Sequence, residues 1–182
     1  MARQDIQLEI ELKEGVEARI DGRKIYIKGP KGEVSRQLIL PNISIEVKDN
    51  KIIMTAKKAS QREYKLMTTY RAHFRNMIKG VTEGHEYKLK ILSSHFPMQV
   101  NYKNGVLEIR NFFGEKHPRK LEIPKEVELK IDGQLIILKG IDKELVGNTA
   151  SLIEKLTRRP NFDPRIFQDG IYIIEKDGKK IV

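Results

Sequence analysis

Apolar and polar residues alternate in several short segments of this chain. The period of two is clear at residues 43–47, 87–91, 98–102 and 127–131. Because successive side chains of a β-strand point to opposite faces, this period predicts strands with one buried face. Such segments are separated by Asp49-Asn50, Asn104-Gly105 and Asp132-Gly133. These residue types tolerate positive φ, so the dipeptides predict tight hairpins.

Two longer segments have the period of an amphipathic helix instead. The first begins with Ser60 and Glu63, which have the spacing of a capping box, and we expect it to end at Gly80. Its predicted buried face consists of Met67, Tyr70, Phe74 and Ile78. The second has Asp142 as its N-cap and ends before Pro160. Its predicted buried face consists of Leu145, Thr149, Leu152 and Leu156.

The order of these elements occurs twice, with an offset of 82 or 83 residues. Residues 25–28 match residues 107–110, and residues 49–53 match residues 132–136. The sequence therefore predicts an α+β fold of two tandem copies of a small domain, each an antiparallel sheet (mixed at most) covered on one face by one long helix. The expected divisions are residues 1–80, residues 81–174, and a basic tail at residues 175–182, of which residues 176–182 are expected to project freely.

Composition excludes several classes of protein. The chain has 182 residues and no cysteine, which removes disulfides, thiolate zinc sites and cysteine nucleophiles and fits a reducing compartment. Its first residues alternate apolar with charged side chains, unlike a signal peptide. No apolar run approaches the ~18 residues that would cross a membrane. We therefore expect a soluble protein of the cytoplasm, without a membrane partner.

The charge distribution indicates an anionic partner. Lys and Arg number 35 against 25 Asp and Glu, a net charge of +10. Residues 18–80 alone hold 15 basic and five acidic side chains, while the later basic residues occur in clusters. One such cluster is usually a solvated surface, but several clusters in turns and near the C-terminus favour binding to nucleic acid.

A search for catalytic motifs finds none of the common ones. Zinc-protease, nucleophile-elbow, phosphate-loop and dinucleotide-binding patterns do not occur. The four histidines are scattered without metal-ligand spacing: His73, His85, His95 and His117. The sequence predicts that the protein is not an enzyme and has no cofactor and no metal site.

The turn at residues 111–120 combines aromatic and basic side chains. Phe112 and Phe113 adjoin Gly114, and they are followed by Lys116, His117, Arg119 and Lys120. An exposed Phe113 could stack on a base or ribose while the cations contact phosphates. The alternatives are that Phe112 completes the core and that the cations form a solvated surface.

Further candidate RNA ligands flank Pro160 and end the chain. They are Arg158, Arg159, Arg165, Lys176, Lys179 and Lys180. Arg158 and Arg159 follow the second helix, so its dipole also stabilises them when no RNA is present.

Four segments together resemble one known family. They are residues 71–81 (RAHFRNMIKGV), residues 87–97 (YKLKILSSHFP), residues 111–115 (NFFGE) and residues 165–172 (RIFQDGIY). These motifs are similar to those of the family of large-subunit ribosomal protein six. The last motif resembles its archaeal and eukaryotic branch, and the absence of cysteine fits the archaeal members.

The resemblance implies a structural constituent of the large ribosomal subunit that binds large-subunit ribosomal RNA. Members of the family lie near the sarcin–ricin region and the stalk base, beside other ribosomal proteins, where translation-factor GTPases dock. The second domain is expected to make most of the RNA contacts and to stabilise RNA tertiary structure.

Two other functions remain compatible with the residues alone. A basic protein-binding scaffold or adaptor without RNA would need an exposed apolar patch. A hydrolase acting on nucleic acid would need clustered carboxylates for metal ions.

Overall fold

The computed structural model describes residues 4–163 and 165–181. The chain divides into two compact units, Met1–Gly84 and His85–Val182. Both units contain β-strands and one long helix, as the two amphipathic periods predict.

The N-terminal unit has six strands and then a helix. They are β1 (Gln4–Glu11), β2 (Glu17–Asp21), β3 (Lys24–Gly29), β4 (Gly32–Gln37), β5 (Ser44–Lys48), β6 (Lys51–Ala59) and α1 (Gln61–Thr82). The strands form two antiparallel sheets, with the orders β1-β6-β5 and β2-β3-β4. Ile25 and Ile27 of one sheet, Ile52 and Met54 of the other, and Phe74 of α1 are fully buried. The core of this unit therefore uses one face of each element.

Helix α1 begins where the capping box predicts. The Ser60 hydroxyl accepts a hydrogen bond from the Arg62 amide, while the Glu63 carboxylate accepts one from the Ser60 amide at 2.9 Å. These bonds favour the ionised carboxylate, and the pKa of Glu63 lies below its ordinary value because of the hydrogen bonds from Ser60.

The predicted end of α1 at Gly80 is wrong, because the helix continues to Thr82. Gly80 and Val81 are both buried, and a Cβ atom on Gly29 would lie only 2.7 Å from Val81 Cγ2. Close packing against β3 thus holds the last turn. The chain reverses instead at Gly84, which has a φ of +84°.

The C-terminal unit repeats this order and adds two strands. Its elements are β7 (His85–Leu92), β8 (Gln99–Lys103), β9 (Val106–Arg110), a 3₁₀ turn (Phe112–Gly114), β10 (Arg119–Glu122), β11 (Glu128–Asp132), β12 (Leu135–Gly140), α2 (Lys143–Leu156), β13 (Gly170–Lys176) and β14 (Lys179–Lys180). The sheet orders are β10-β9-β8 and β11-β12-β7-β13-β14. Every strand pair is antiparallel.

The two units are copies of one topology. The pairing β1-β6-β5 corresponds to β7-β12-β11, and β2-β3-β4 corresponds to β8-β9-β10. The α+β fold class with two tandem repeats is therefore confirmed. Each copy distributes its antiparallel strands over two sheets, and β13 and β14 extend one sheet of the second copy only.

The buried face of α2 differs from the predicted one. Val146, Thr149, Ala150 and Ile153 are buried, whereas Leu152 is 47% exposed. Leu145 and Leu156 pack only at the edge of the core. Small residues set this face, because a Cβ atom on Gly147 would already contact the Tyr87 ring at 3.7 Å. The helix therefore approaches the sheet along its glycine and alanine side.

The prediction of a freely projecting C-terminal tail is wrong for residues 176–181. Strands β13 and β14 pair as a hairpin, with Lys176 opposite Lys179. At its tip Asp177 donates its amide to the Glu86 carbonyl at 2.8 Å and accepts the Glu86 amide on Oδ1 at 3.1 Å. Asp177 Oδ2 also lies 2.8 Å from Nδ1 of the buried His85. These polar contacts bind the hairpin to the start of β7.

Candidate nucleic-acid interface

A cleft of about 660 Å³ opens in the C-terminal unit at the end of α2. Aromatic rings line one part of it, and Arg158, Arg159 and Asn161 line another. We call this site the basic aromatic cleft. It combines the two kinds of group that contact unpaired RNA, because rings stack on bases and cations contact phosphates.

Three phenylalanine rings pack against one another at this cleft. Phe167 lies edge-to-face against Phe162 and Phe113, with centroid distances of 5.1 Å and 6.0 Å. The His95 ring adds a further contact to Phe167 at 5.6 Å. Such arrangements are the favoured geometries of aromatic pairs. Phe162 stays 39% exposed, so the cluster reaches the surface.

A strained turn presents Phe113 to this cluster. Asn111, Phe113 and Gly114 have φ values of 58°, 48° and 76°. A left-handed backbone is uncommon for a bulky residue such as phenylalanine and costs roughly 1 kcal/mol or more. Phe112 is buried beneath the turn, as one of the two sequence alternatives predicted, and its ring contacts Phe113 at 4.9 Å. This contact anchors the strained backbone.

Arg159 covers two of the rings. Its guanidinium Cζ lies 3.7 Å from the centroid of Phe162 and 4.6 Å from that of Phe113. Such contacts between a cation and a ring face are attractive. They fix Arg159 within the cleft although it follows the end of the helix in an irregular segment.

Arg119 joins the two segments that carry the cleft. Its Nε and Nη2 atoms donate to the two carboxylate oxygens of Glu115 at 2.8 Å and 2.6 Å. Its Nη1 atom donates to the Leu156 carbonyl at 2.6 Å, where α2 leaves carbonyls without a helical partner. Its guanidinium also lies over the Phe112 ring at 4.4 Å. Arg119 thus binds the aromatic turn to the end of α2.

This ion pair changes the ionisation of Glu115. The hydrogen bond from Arg119 is the largest cause that lowers the pKa of Glu115, and the charges of Arg119 and Arg159 lower it further against the effect of burial. Glu115 therefore remains a carboxylate beside the cleft, where it offsets part of the positive charge.

Asp169 holds a second loop against the cluster. Its side chain is almost completely buried and accepts hydrogen bonds from the amides of Ser94 and His95 at 2.9 Å and 3.0 Å, and from the Ser94 hydroxyl. His95 Nδ1 lies 3.0 Å from Asp169 Oδ1. Burial alone would raise the pKa of Asp169, but the bonds from Ser94 and His95 outweigh it and hold the pKa well below its usual value.

Thr157 connects the end of α2 to strand β13 at the cleft. This buried hydroxyl donates to the Glu154 carbonyl at 3.1 Å and accepts the Ile171 amide at 2.9 Å. Tyr172 lines the cleft beside it, and burial, with the nearby charges of Glu154 and Asp169, raises the pKa of its phenol.

The structure brings together only some of the predicted RNA ligands. Phe113, Arg158 and Arg159 line the cleft, and Arg119 contacts its wall. Lys120 follows Arg119 in β10 and therefore points to the opposite face of the sheet, 3.7 Å from Glu108. Three further predicted ligands are exposed: Lys116, His117 and Arg165.

The predicted lysines near the C-terminus lie elsewhere. Strand β13 begins at Gly170, beside Thr157, and reaches Lys176 six residues later. At about 3.3 Å per residue this separates Lys176 from the cleft end of the strand by roughly 20 Å. Lys179 and Lys180 share its hairpin, and all three side chains are exposed. They form a second basic surface.

Several residues at the cleft were not predicted as functional. Phe162, Phe167 and Asp169 line it, and His95 contacts the Phe167 ring from outside the lining. Residues 94–97 and 165–172 did carry the family resemblance, so the two motifs were found but their mutual contact was not. No sequence period links Asp169 to Ser94, because the bond joins loops 75 residues apart.

The described residues include no group of three or more side chains that could hold a metal ion. Over the same residues, no helix has the length and apolar character needed to span a bilayer.

Clustered cations beside aromatic rings, as in this cleft, are typical of proteins that bind a polyanion such as nucleic acid. The family model described as ribosomal protein L6 matches residues 13–84 and 96–170. The large ribosomal subunit protein uL6 of Methanothrix thermoacetophila is 42% identical over 173 residues, which are 95% of this chain and 98% of that protein. The protein of that name from Methanosarcina mazei is 43% identical over 172 residues, which cover 94% and 98% of the two chains. The protein of that name from Methanococcus vannielii is 41% identical over 174 residues, or 96% of both.

The chain therefore belongs to the ribosomal protein L6 family. The resemblance drawn from the four motifs is confirmed, and so is the similarity to archaeal members of the family. Membership of a family of structural ribosomal proteins confirms that the chain is not an enzyme and that it acts in translation. It also confirms the expected location on the cytoplasmic ribosome.

Proposed function

We propose that the protein binds large-subunit ribosomal RNA near the sarcin–ricin region and the stalk base, mainly through its C-terminal unit. Neighbouring ribosomal proteins and translation-factor GTPases would then lie close to it. The observation that carries this proposal is the basic aromatic cleft, where Arg158, Arg159 and Phe113 meet at one surface. The family membership supports the choice of ribosomal RNA.

In this function the protein is a clamp between RNA segments. Cations neutralise phosphates and release counterions, so affinity depends on the number of phosphate contacts and on salt. We assign these contacts to exposed side chains at or near the cleft: Lys116, His117, Arg158 and Arg165. Two basic surfaces roughly 20 Å apart along β13 can contact different RNA segments, the second through Lys176, Lys179 and Lys180. Lys120, on the opposite face of its sheet, belongs to neither surface and would contact RNA only at a third, separate site.

The test is a salt titration of RNA binding. Wild-type protein is compared with a triple variant, K116A/R158A/R165A, on a fragment of large-subunit RNA that contains the sarcin–ricin region. Each lost phosphate contact should reduce the log–log salt slope by roughly 0.7–0.9. The matched control is K103A/K125A/K130A, which removes the same charge from exposed positions of the same unit outside the lining of the cleft.

Two results would contradict the proposal. If both triple variants lower affinity and slope equally, the binding reflects net charge and not this surface. If the wild-type protein binds the fragment no better than an unrelated RNA and instead retains an acidic protein from the large subunit, the scaffold alternative is correct.

A further inference from the structure

Arg159 is held differently from the other cations at the cleft. Its guanidinium lies over both Phe162 and Phe113, and its side chain is half-buried, whereas Arg158 is exposed. Within residues 4–163 and 165–181, its guanidinium forms no hydrogen bond or close ion pair. The two rings therefore restrict the plane of this group while its five N–H donors remain available.

We propose that Arg159 is a stacking platform for one unpaired base of RNA; this inference rests on the proposed function and specifies the ligand of the same site. A guanidinium is planar and delocalised, so one face can remain on the phenylalanine rings while the other stacks on a base. Neutralising a phosphate requires only a charge that reaches it, which exposed Arg158 already supplies. Fixing the plane of Arg159 against two rings is useful when the ligand is itself planar.

The rest of the cleft fits a single nucleotide. Its volume of about 660 Å³ lies within the range of small-ligand pockets, which is roughly 300–1,000 Å³. Asn161 lies at the same cleft with an exposed side chain and a φ of 68°. Its amide can both donate to and accept from the edge of a base. Lys155 and Arg158 line the cleft as well, so cations are available for the adjacent phosphates.

The experiment separates stacking from charge with a conservative pair of variants. R159K keeps the positive charge but loses the planar guanidinium, and R110K makes the same change at an exposed arginine of the same unit outside the lining of the cleft. Each protein is titrated with an RNA hairpin that has one bulged adenosine and with the same hairpin carrying an abasic bulge. The two RNAs have equal numbers of phosphates, so their affinity ratio reports the base alone.

We expect the wild-type protein and R110K to prefer the base-containing hairpin by about tenfold. R159K should lose this preference while its salt slope stays unchanged. Phe162→Leu, which removes a ring beneath the guanidinium, should act like R159K. When the bulged base is 2-aminopurine, binding of the wild-type protein should change the fluorescence of that base, and binding of R159K should not.

The inference is overturned if the wild-type protein binds both hairpins equally, or if R159K keeps the preference. Equal affinity with a normal salt dependence would leave the proposed function intact. Failure to bind either hairpin or the ribosomal RNA fragment would count against both. Because R159K or F162L could alter the fold, the melting temperature of each variant is measured, and a preference lost only in proportion to unfolding also overturns the inference.

Discussion

Residues of the same type have different roles at the basic aromatic cleft. Arg119, Arg158 and Arg159 lie within reach of one another, yet Arg119 is bound to Glu115 and to helix carbonyls. Arg159 covers two rings, and only Arg158 is exposed. Sequence spacing grouped all three as phosphate ligands, because charge is visible in a sequence and side-chain partners are not. Their separate roles lead to opposite expectations for nearby mutations.

Glu115→Gln should weaken RNA binding although it makes the protein more positive. The substitution removes the negative charge and one of the two carboxylate oxygens that accept hydrogen bonds from Arg119. These bonds hold Arg119 between the aromatic turn and the end of α2. We expect RNA affinity to fall about three- to tenfold and stability to fall by about 1 kcal/mol, the scale of a partly exposed charged pair. Binding isotherms and thermal melting would measure the two effects.

The matched control for this prediction is Glu108→Gln. Glu108 also pairs with cations, Arg110 and Lys120, but it lies on a sheet of the same unit outside the cleft. We expect its RNA affinity to remain equal or to rise slightly. If Glu115→Gln raised RNA affinity by as much as Glu108→Gln or more, Arg119 would be a phosphate ligand after all.

Asp169→Asn should destabilise the C-terminal unit near neutral pH. The buried carboxylate accepts several hydrogen bonds from the loop that carries Ser94 and His95, and an amide can accept only part of them. We expect a loss of about 2–3 kcal/mol, the scale of hydrogen bonds to a buried charge. Urea unfolding, followed by a probe of the C-terminal unit, would measure the free energy.

The pH dependence of this effect has a definite sign. The folded-state pKa of Asp169 is lower than its unfolded-state value, so the unfolded chain takes up the proton first as the pH falls. The stabilisation is therefore complete at neutral pH and decreases as the pH falls below about 4–5. The wild-type and D169N free energies should converge in acid. The control is D132N, at an exposed hairpin position where asparagine is also favoured, and its free energy of unfolding should differ from the wild-type value by the same amount at every pH. If the D132N and wild-type free energies also converge in acid, the effect belongs to other carboxylates.

At the scale of elements, sequence patterns predicted where the helices begin better than they predicted which faces are buried and which strands pair. The capping box of Ser60 and Glu63 and the N-cap Asp142 are as expected, because a cap depends on neighbours within one turn. The buried face of α2 was misjudged, since it depends on contacts such as that between Gly147 and Tyr87. The hairpin at residues 175–181 was missed for the same reason, because its partner is β7 at the other end of the unit.

Removing residues 177–182 should therefore destabilise the C-terminal unit. The deletion eliminates the bond from the Asp177 amide to the Glu86 carbonyl and the bond from the Glu86 amide to the Asp177 carboxylate, and it removes the carboxylate that contacts buried His85. We expect a loss of about 2–4 kcal/mol, as for other broken buried polar networks. Thermal melting and urea unfolding would show it. K179A/K180A keeps the backbone of the hairpin and should melt like the wild type. An unchanged melting temperature after the deletion would mean that the hairpin adds no stability.

At the scale of the whole molecule, the duplication was visible in the sequence and the position of the cleft was not. An offset of 82 or 83 residues revealed two copies, because related strands and turns keep their order even when identities are few. The cleft arises where the second copy departs from the first: in the aromatic turn before β10 and in the irregular segment between α2 and β13. The sequence showed candidate ligands in both segments but not their mutual contact, because only folding brings the two segments together.

The separated C-terminal unit, residues 85–182, should fold alone and keep most of the RNA affinity. Its largest described core cluster consists of residues between Tyr87 and Ile173, so none comes from the N-terminal unit. The other fragment, residues 1–84, has 17 basic and 11 acidic side chains and should bind RNA through charge alone. We therefore expect only the C-terminal fragment to distinguish the bulged hairpin from its abasic counterpart, although both should lose affinity as salt rises. Circular dichroism melting and titration of each fragment would test this. A C-terminal fragment that melts cooperatively but binds no better than residues 1–84 would show that RNA recognition requires both copies.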